Sequence, residues 1–140
     1  MIVLDTNVLS ELMRLQPAAP VVAWLDAQEA NELWLTSITV AEILYGIARL
    51  PEGQRKHNLT VAAVAMFNED FADRILNFDA EAAAHYADIV IARERSGRPI
   101  SMADAQIAAI CRSPSAVLAT RNEKDFETTG INLINPWPPV

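Results

Sequence analysis

Short uninterrupted apolar runs alternate along this chain with longer stretches in which apolar residues recur at three- and four-residue intervals. Ile2-Val3-Leu4 is the first run, and it ends abruptly in Asp5. A run without polar alternation suits a strand covered on both faces, as in a parallel sheet. The pattern turns helical from Asn7 to Met13, is broken by Pro17 and Pro20, and resumes from Val21 to Gln28, where Val21, Trp24 and Leu25 share a face. Leu33-Trp34-Leu35 predicts a second buried strand, and Thr36 to Thr39 leads into a helix from Val40 to Leu50 that Pro51 and Gly53 close.

The middle, Gln54 to about Ala72, is helical in period and rich in apolar residues such as Leu59, Val61, Val64, Phe67 and Phe71, so part of it is expected to face a partner. Arg74 to Phe78 reads as a short strand, Ala80 to Ser96 as an Ala-rich helix stopped by Gly97 and Pro99, and Met102 to Arg112 as a further helix. Val117-Leu118-Ala119 and Asn132-Leu133-Ile134 complete the strands, and the Pro-Trp-Pro-Pro ending reads as a tail or edge segment. Strands alternating with helices predict a three-layer α/β/α sandwich around a mainly parallel sheet.

Composition narrows this picture. With 140 residues, 51% of them hydrophobic, the chain holds one ordinary domain, 1–140, with a real core. Eleven basic against 18 acidic residues leave a formal charge of −7, so no global positive field is available to hold a polyanion, and such a substrate must be met locally. The single cysteine, Cys111, lies in an apolar stretch and reads as a buried structural thiol. The opening carries no basic, signal-like segment and no apolar run is long enough to span a bilayer, which predicts a cytoplasmic protein with no membrane partner.

In an open parallel sheet, ligands gather beyond the carboxyl ends of the strands. The polar residues at those positions are mostly acids: Asp5 after the first strand, Glu42 in the helix after the second, Asp104 in the first turn of the last main helix, and Asn122 with Asp125 after the Val117 strand. Converging carboxylates suit hard divalent cations such as Mg²⁺ or Mn²⁺, which can serve phosphodiester hydrolysis. A purely structural reading exists for two of them. Thr39-x-x-Glu42 matches a capping box and Ser101-x-x-Asp104 a looser one, so both acids could serve helix starts. Asp5 resists that reading, because a carboxylate closing an apolar strand is buried at considerable expense unless it has a function.

The residues also carry a family resemblance. Ile-Val-Leu-Asp5-Thr6-Asn7-Val-Leu-Ser, Ser37-Ile-Thr39-Val-Ala-Glu42-Ile-Leu-Tyr-Gly46, Ser101-Met-Ala-Asp104-Ala-Gln-Ile-Ala-Ala and Ala119-Thr120-Arg121-Asn122-Glu-Lys-Asp125-Phe126 stand in an order and spacing that resemble the PIN-domain toxins of the VapC type. The closing Asn135-Pro136-Trp137 is similar to the FitB-like branch. The resemblance implies a PIN-like fold and a Mg²⁺- or Mn²⁺-dependent endoribonuclease. It further implies the toxin half of a toxin–antitoxin pair, a homodimer restrained by a VapB-like antitoxin, in some cases assembled with it on operator DNA.

Carried over by position, Asp5, Glu42 and Asp104 match the family's acidic residues, with Asp5 and Asp104 as direct metal ligands. FitB-like relatives place an aspartate where this chain has Asn122, while an acid follows at Asp125; an amide is a weaker ligand, so the fourth corner and a complete second metal site stay open. Thr6, Asn7, Ser37 and Thr120 flank the proposed ligands and would orient them, or else serve as ordinary turn and cap residues. Arg121 and Lys124, or the Arg93, Arg95 and Arg98 group at a helix end, are candidates to guide RNA phosphates; a solvated helix terminus is the preferred reading of the second group. His57 and His85 show no ligand spacing.

Two other functions fit parts of the pattern. An aspartyl-phosphate phosphatase would use Asp5 as nucleophile, but the common form of that chemistry needs an aspartate two residues on, where Asn7 stands. A catalytically weak interaction module would keep the fold and bind a partner through apolar helices that carry Leu12, Leu25, Leu44 and Phe67.

Overall fold

The computed structural model describes residues 1–139. In chain order it contains β1 (Ile2–Leu4), α1 (Thr6–Leu12), α2 (Ala19–Asp26), β2 (Leu33–Thr36), α3 (Ser37–Ala48), α4 (Gln54–Ala65), β3 (Ile75–Leu76), α5 (Ala80–Arg95), α6 (Met102–Arg112), β4 (Val117–Ala119) and β5 (Asn132–Ile134). The five strands form one sheet in the order β3-β2-β1-β4-β5, every neighbouring pair parallel. The expected mainly parallel sheet is thus wholly parallel.

Side chains of successive strand residues point to opposite faces, and each face has its own core. Leu4, Leu33, Leu35 and Ala119 join Val8, Leu9, Val21, Ile43, Ile47 and Ala63 beneath α1–α4. Val3 and Leu118 join Ala82, Ile89, Ile107, Ala108 and Cys111 beneath α5 and α6. The sheet is therefore the middle layer of three. Burial of Cys111 pushes its thiol pKa well up, which leaves it an inert core group.

Several boundaries differ from the sequence pattern. Helix α3 starts at Ser37, three residues before the expected Val40, because Thr36 rather than Thr39 is the N-cap and accepts from the Thr39 amide at 3.1 Å. The Gln54–Ala72 stretch resolves into α4 and one π turn, Met66–Asp70, and it turns Ala63, Phe67 and Phe71 inward while Val61 and Val64 stay exposed. Strand β3 shrinks to two residues at the sheet edge. Among the described residues, no helix is long and apolar enough to cross a membrane.

The strand order reverses direction at β1: the chain first adds β2 and β3 on one side, then β4 and β5 on the other. The carboxyl ends of β1 and β4 thus border the crevice where the crossovers diverge. Asp5 follows β1 there, and Thr120 follows β4.

Candidate active site

The geometry starts at Asp5, which is both the last residue before α1 and its N-cap. Its Oδ1 accepts from the Thr6 amide at 2.8 Å, and its Oδ2 accepts from the Thr120 hydroxyl at 2.7 Å and from Asn7 Nδ2 at 3.3 Å. With a relative exposure of 5%, the carboxyl is held between two strand ends with its direction fixed. Burial raises its pKa to about 6 from the ordinary carboxyl value of 3.8; the bonds from Thr120 and Thr6 lower it, and the negative charges of Asp104 and Glu42 raise it further.

Glu42 comes from α3 and is exposed. Thr6 Oγ1 donates to its Oε1 at 2.7 Å, and the buried Thr39 hydroxyl lies 3.0 Å from the same Thr6 oxygen. Since Thr6 gives its only hydroxyl proton to Glu42, Thr39 must be the donor of the second bond. The capping-box reading of Thr39 and Glu42 is therefore corrected: Thr36 already caps α3, which leaves Thr39 to support Thr6 and Glu42 to face the cleft.

Asp104 lies in the first turn of α6, where its amide bonds to the capping Ser101 Oγ at 3.2 Å. The cap is real, yet it uses the Asp104 amide, and Asp104 also lines the cleft. Burial raises the Asp104 pKa, a hydrogen bond with Ser101 lowers it, Asp125 and Glu42 raise it, and Arg93 lowers it. None of Asp5, Glu42, Asp104 or Asp125 forms an ion pair among the described residues.

Asp5, Thr6, Asn7, Glu42, Asp104, Arg121, Asn122 and Asp125 together line one open cleft of about 500 Å³. Thr120 lies just beneath it, and its one oxygen donates to Asp5 while accepting from the Asn122 amide at 3.1 Å and Asn7 Nδ2 at 3.4 Å. Asn7 Oδ1 accepts from the Arg121 amide at 3.2 Å. A single threonine and a single asparagine thus tie the end of β1 to the turn after β4. Asn122 and Asp125 are both exposed at the rim, Asn122 just before the short 3-10 turn Glu123–Phe126 and Asp125 within it.

Ser37 and Lys124 are not brought into this cleft. Ser37 opens α3, where its position serves the helix start, and Lys124 turns outward on the 3-10 turn, contributing only its carbonyl to Arg98 at 3.4 Å. Arg93 is neither solvated nor available to a phosphate. Only 4% exposed, it donates from Nε to the Arg98 carbonyl at 2.6 Å and from Nη1 to the carbonyls of Asp125 and Glu127 at 2.9 Å each. The helix-terminus reading of this residue is corrected accordingly: its charge is spent on holding the loop that carries Asp125.

Sequence reasoning passed over Glu11, Arg14 and Trp137, which also line the cleft. Glu11 is buried and accepts from Arg14 at 3.2 Å and from the Ala18 amide at 3.0 Å, closing the α1–α2 corner. Its signal was an acid on the apolar side of a helical stripe. Trp137 sits on the proline-rich ending, where no periodicity announces a contact.

The donor set is made of oxygen atoms, and among the described residues none of its carboxylates forms an ion pair with a protein cation. Hard divalent cations are the ligand class that such a set attracts. Among the described residues, no three His, Cys, Asp or Glu side chains stand in an arrangement that would by itself hold a metal ion. An ion here would keep part of its hydration shell, as Mg²⁺ commonly does.

Comparisons with known proteins agree with the architecture. Residues 2–132 match the PIN domain family. The chain is 42% identical over 140 residues to VapC ribonuclease Y4jK of Sinorhizobium fredii, covering 100% of both chains. It is likewise 42% identical over 137 residues to Toxin FitB of Neisseria gonorrhoeae, covering 98% of this chain and 99% of that one. Among solved structures, that of FitAB bound to an IR36 DNA fragment superposes with a TM-score of 0.94 at 41% identity, covering 100% of this chain and 98% of that one.

Proposed function

Because the chain belongs to the PIN-domain family, we propose that it is a divalent-cation-dependent endoribonuclease and the toxin of a toxin–antitoxin pair. The observation that carries this reading is Asp5, a buried carboxylate without a cationic partner among the described residues, aimed into a cleft that Glu42 and Asp104 share. A buried unpaired acid is destabilising, and a site that retains one beside two others has a use for it.

Asp5, Asp104 and Glu42 are assigned to hold Mg²⁺ or Mn²⁺. When bound, such an ion supplies charge neutralisation at the phosphoryl oxygens and a lowered barrier to attack by water. The protein's own groups do the positioning. Thr120, Asn7 and the Thr6 amide fix Asp5, so its ligand geometry is set before any substrate arrives. Thr39 and Thr6 fix Glu42 through Oε1. Glu42 Oε2 keeps no protein hydrogen-bond partner among the described residues and is assigned to accept a proton from attacking water. Asp125 adds charge at the rim, and Asn122 is assigned a contact through water.

The partner assignments follow from the relatives. FitAB on its DNA fragment supports an antitoxin bound to this chain and, with it, operator DNA; the homodimer rests on the family resemblance alone. An apolar groove lined by Met13, Ile43, Ile47 and Leu59 runs into the cleft by way of Ser10, Arg14 and Glu42. A segment lying in that groove would be able to place a basic side chain among the carboxylates and so exclude metal.

The test uses antitoxin-free protein, a panel of structured RNAs and Mg²⁺ or Mn²⁺, with EDTA and Asp5→Asn as controls. Cleavage is expected to require the ion and to fall to background in the variant. Cleavage that survives either control would refute the metal mechanism. Failure to cut any RNA would favour an interaction module on the PIN fold.

A further inference from the structure

The acidic cleft carries one feature of opposite sign. Of the cations that line it, Arg14 is committed to Glu11 at 3.2 Å, whereas Arg121 has no carboxylate within 4.0 Å among the described residues. The Arg121 guanidinium carbon instead lies 4.9 Å from the centroid of the Trp137 ring. Both partners are anchored at their backbones. The Arg121 amide donates to Asn7 Oδ1 at 3.2 Å, and the Trp137 amide donates to Asn135 Oδ1 at 3.0 Å across the buried Pro136. The half-buried ring also packs against the apolar cluster beneath α1–α4.

We propose that Trp137 is a positioning residue: its ring holds the Arg121 guanidinium at the rim of the cleft so that the cation meets a phosphate of the bound RNA strand. The inference rests on the nuclease reading for the identity of the strand. Its physical basis is the geometry of the pair. An aromatic ring attracts a guanidinium through the face, whereas the five N–H donors lie in the plane and stay free for phosphate oxygens. The surroundings create the need. A phosphodiester approaching a cleft of carboxylates, on a protein of net charge −7, meets repulsion that a cation fixed at the entrance offsets. A free arginine side chain would sample many rotamers, and its contact with the Trp137 ring restricts that freedom before the strand binds.

The test compares full-length parent protein with Arg121→Ala, Trp137→Ala, Trp137→Leu, Trp137→Phe and the Arg121→Ala/Trp137→Ala double variant. Cleavage kinetics on an RNA that the parent cuts are measured from about 50 to 200 mM salt, the range over which phosphate contacts are most visible. In parallel, the Kd for a labelled single-stranded RNA is measured over the same range on versions carrying Asp5→Asn. Arg121→Ala is expected to raise KM more than it lowers kcat, and to reduce the slope of log Kd against log salt by about one. Trp137→Ala and Trp137→Leu are expected to reproduce both changes, the leucine showing that apolar packing alone does not suffice. Trp137→Phe should retain most of the parent behaviour, and the double variant should be no worse than Arg121→Ala.

Unchanged KM and salt slope in Trp137→Ala would overturn the proposal, as would effects of the two substitutions that add in full, the result expected if a base stacks directly on the ring. A parent that cuts RNA while the tryptophan variants bind and cut like it refutes only the positioning role. A parent that neither cuts nor binds any RNA refutes the nuclease reading and this inference together.

Discussion

Asp5 shows how one side chain can be placed by local rules and still be unstable where it stands. It caps α1, accepts three hydrogen bonds, and is nevertheless raised to a pKa of about 6, because burial and two neighbouring acids outweigh those bonds. A carboxyl with a raised pKa binds protons more tightly in the folded state, so stability declines as pH climbs from about 4 through about 6 and stays low above that. From 3.8 to about 6 the loss is at most about 3 kcal/mol. Urea denaturation in EDTA at pH 4.5 and pH 7 is expected to show about two-thirds of this loss in the parent and a flatter response in Asp5→Asn, the raised pKa of Asp104 accounting for the slope that remains. Divalent cations should restore stability at pH 7 and do so less at pH 5, where protons compete for the same oxygen. A second expectation concerns the fourth corner: in a metal titration, Asn122→Asp should tighten binding, and Asp125→Ala should weaken it modestly. If only the Asn122 change alters affinity, Asp125 is a bystander.

At the scale of elements, the caps decide where the candidate ligands come to lie. Ser101 fixes the first turn of α6 and with it Asp104, so Ser101→Ala should cost about 1 kcal/mol in chemical denaturation, while Ser101→Asp should recover most of it. The strands were legible because their apolar runs are short, unbroken and bounded by polar residues, and Asp5 was legible because it ends one of them. The start of α3 was not. Thr36 and Thr39 are both good caps, and only tertiary contact with Thr6 decides which of them is drawn into the helix. Arg93 was misread for a related reason: a basic residue in the last turn of a helix usually meets solvent, and nothing local reveals the three carbonyl groups folded over it. Trp137 was illegible as a cleft residue because its ring meets groups distant in the chain, the apolar cluster beneath α1–α4 and Arg121 in the turn after β4.

For the whole molecule, the parallel sheet does what side-chain chemistry alone would not, by bringing acids from positions 5, 42 and 104 to one crevice. The same arrangement places the apolar groove of α1, α3 and α4 against that crevice, with Glu42 common to both. A charge placed in the groove should therefore separate restraint from activity. Leu59→Glu is expected to abolish co-purification of the antitoxin and to leave RNA cleavage by the isolated protein within about twofold of the parent, since the side chain lies in the groove and outside the carboxylate cleft. Loss of both properties would mean that the substitution disturbs the α3–α4 packing instead.

The bond from Thr120 to Asp5 spans 115 positions of sequence. During synthesis, β1, β2 and β3 emerge long before β4, and until β4 docks, Asp5 lacks the Thr120 hydroxyl that orients it. Such long-range parallel pairing is slow to form. A growing polypeptide therefore holds Asp5 and Glu42 without the bond that orients Asp5, and the cleft takes its final form only once the last quarter of the chain is in place.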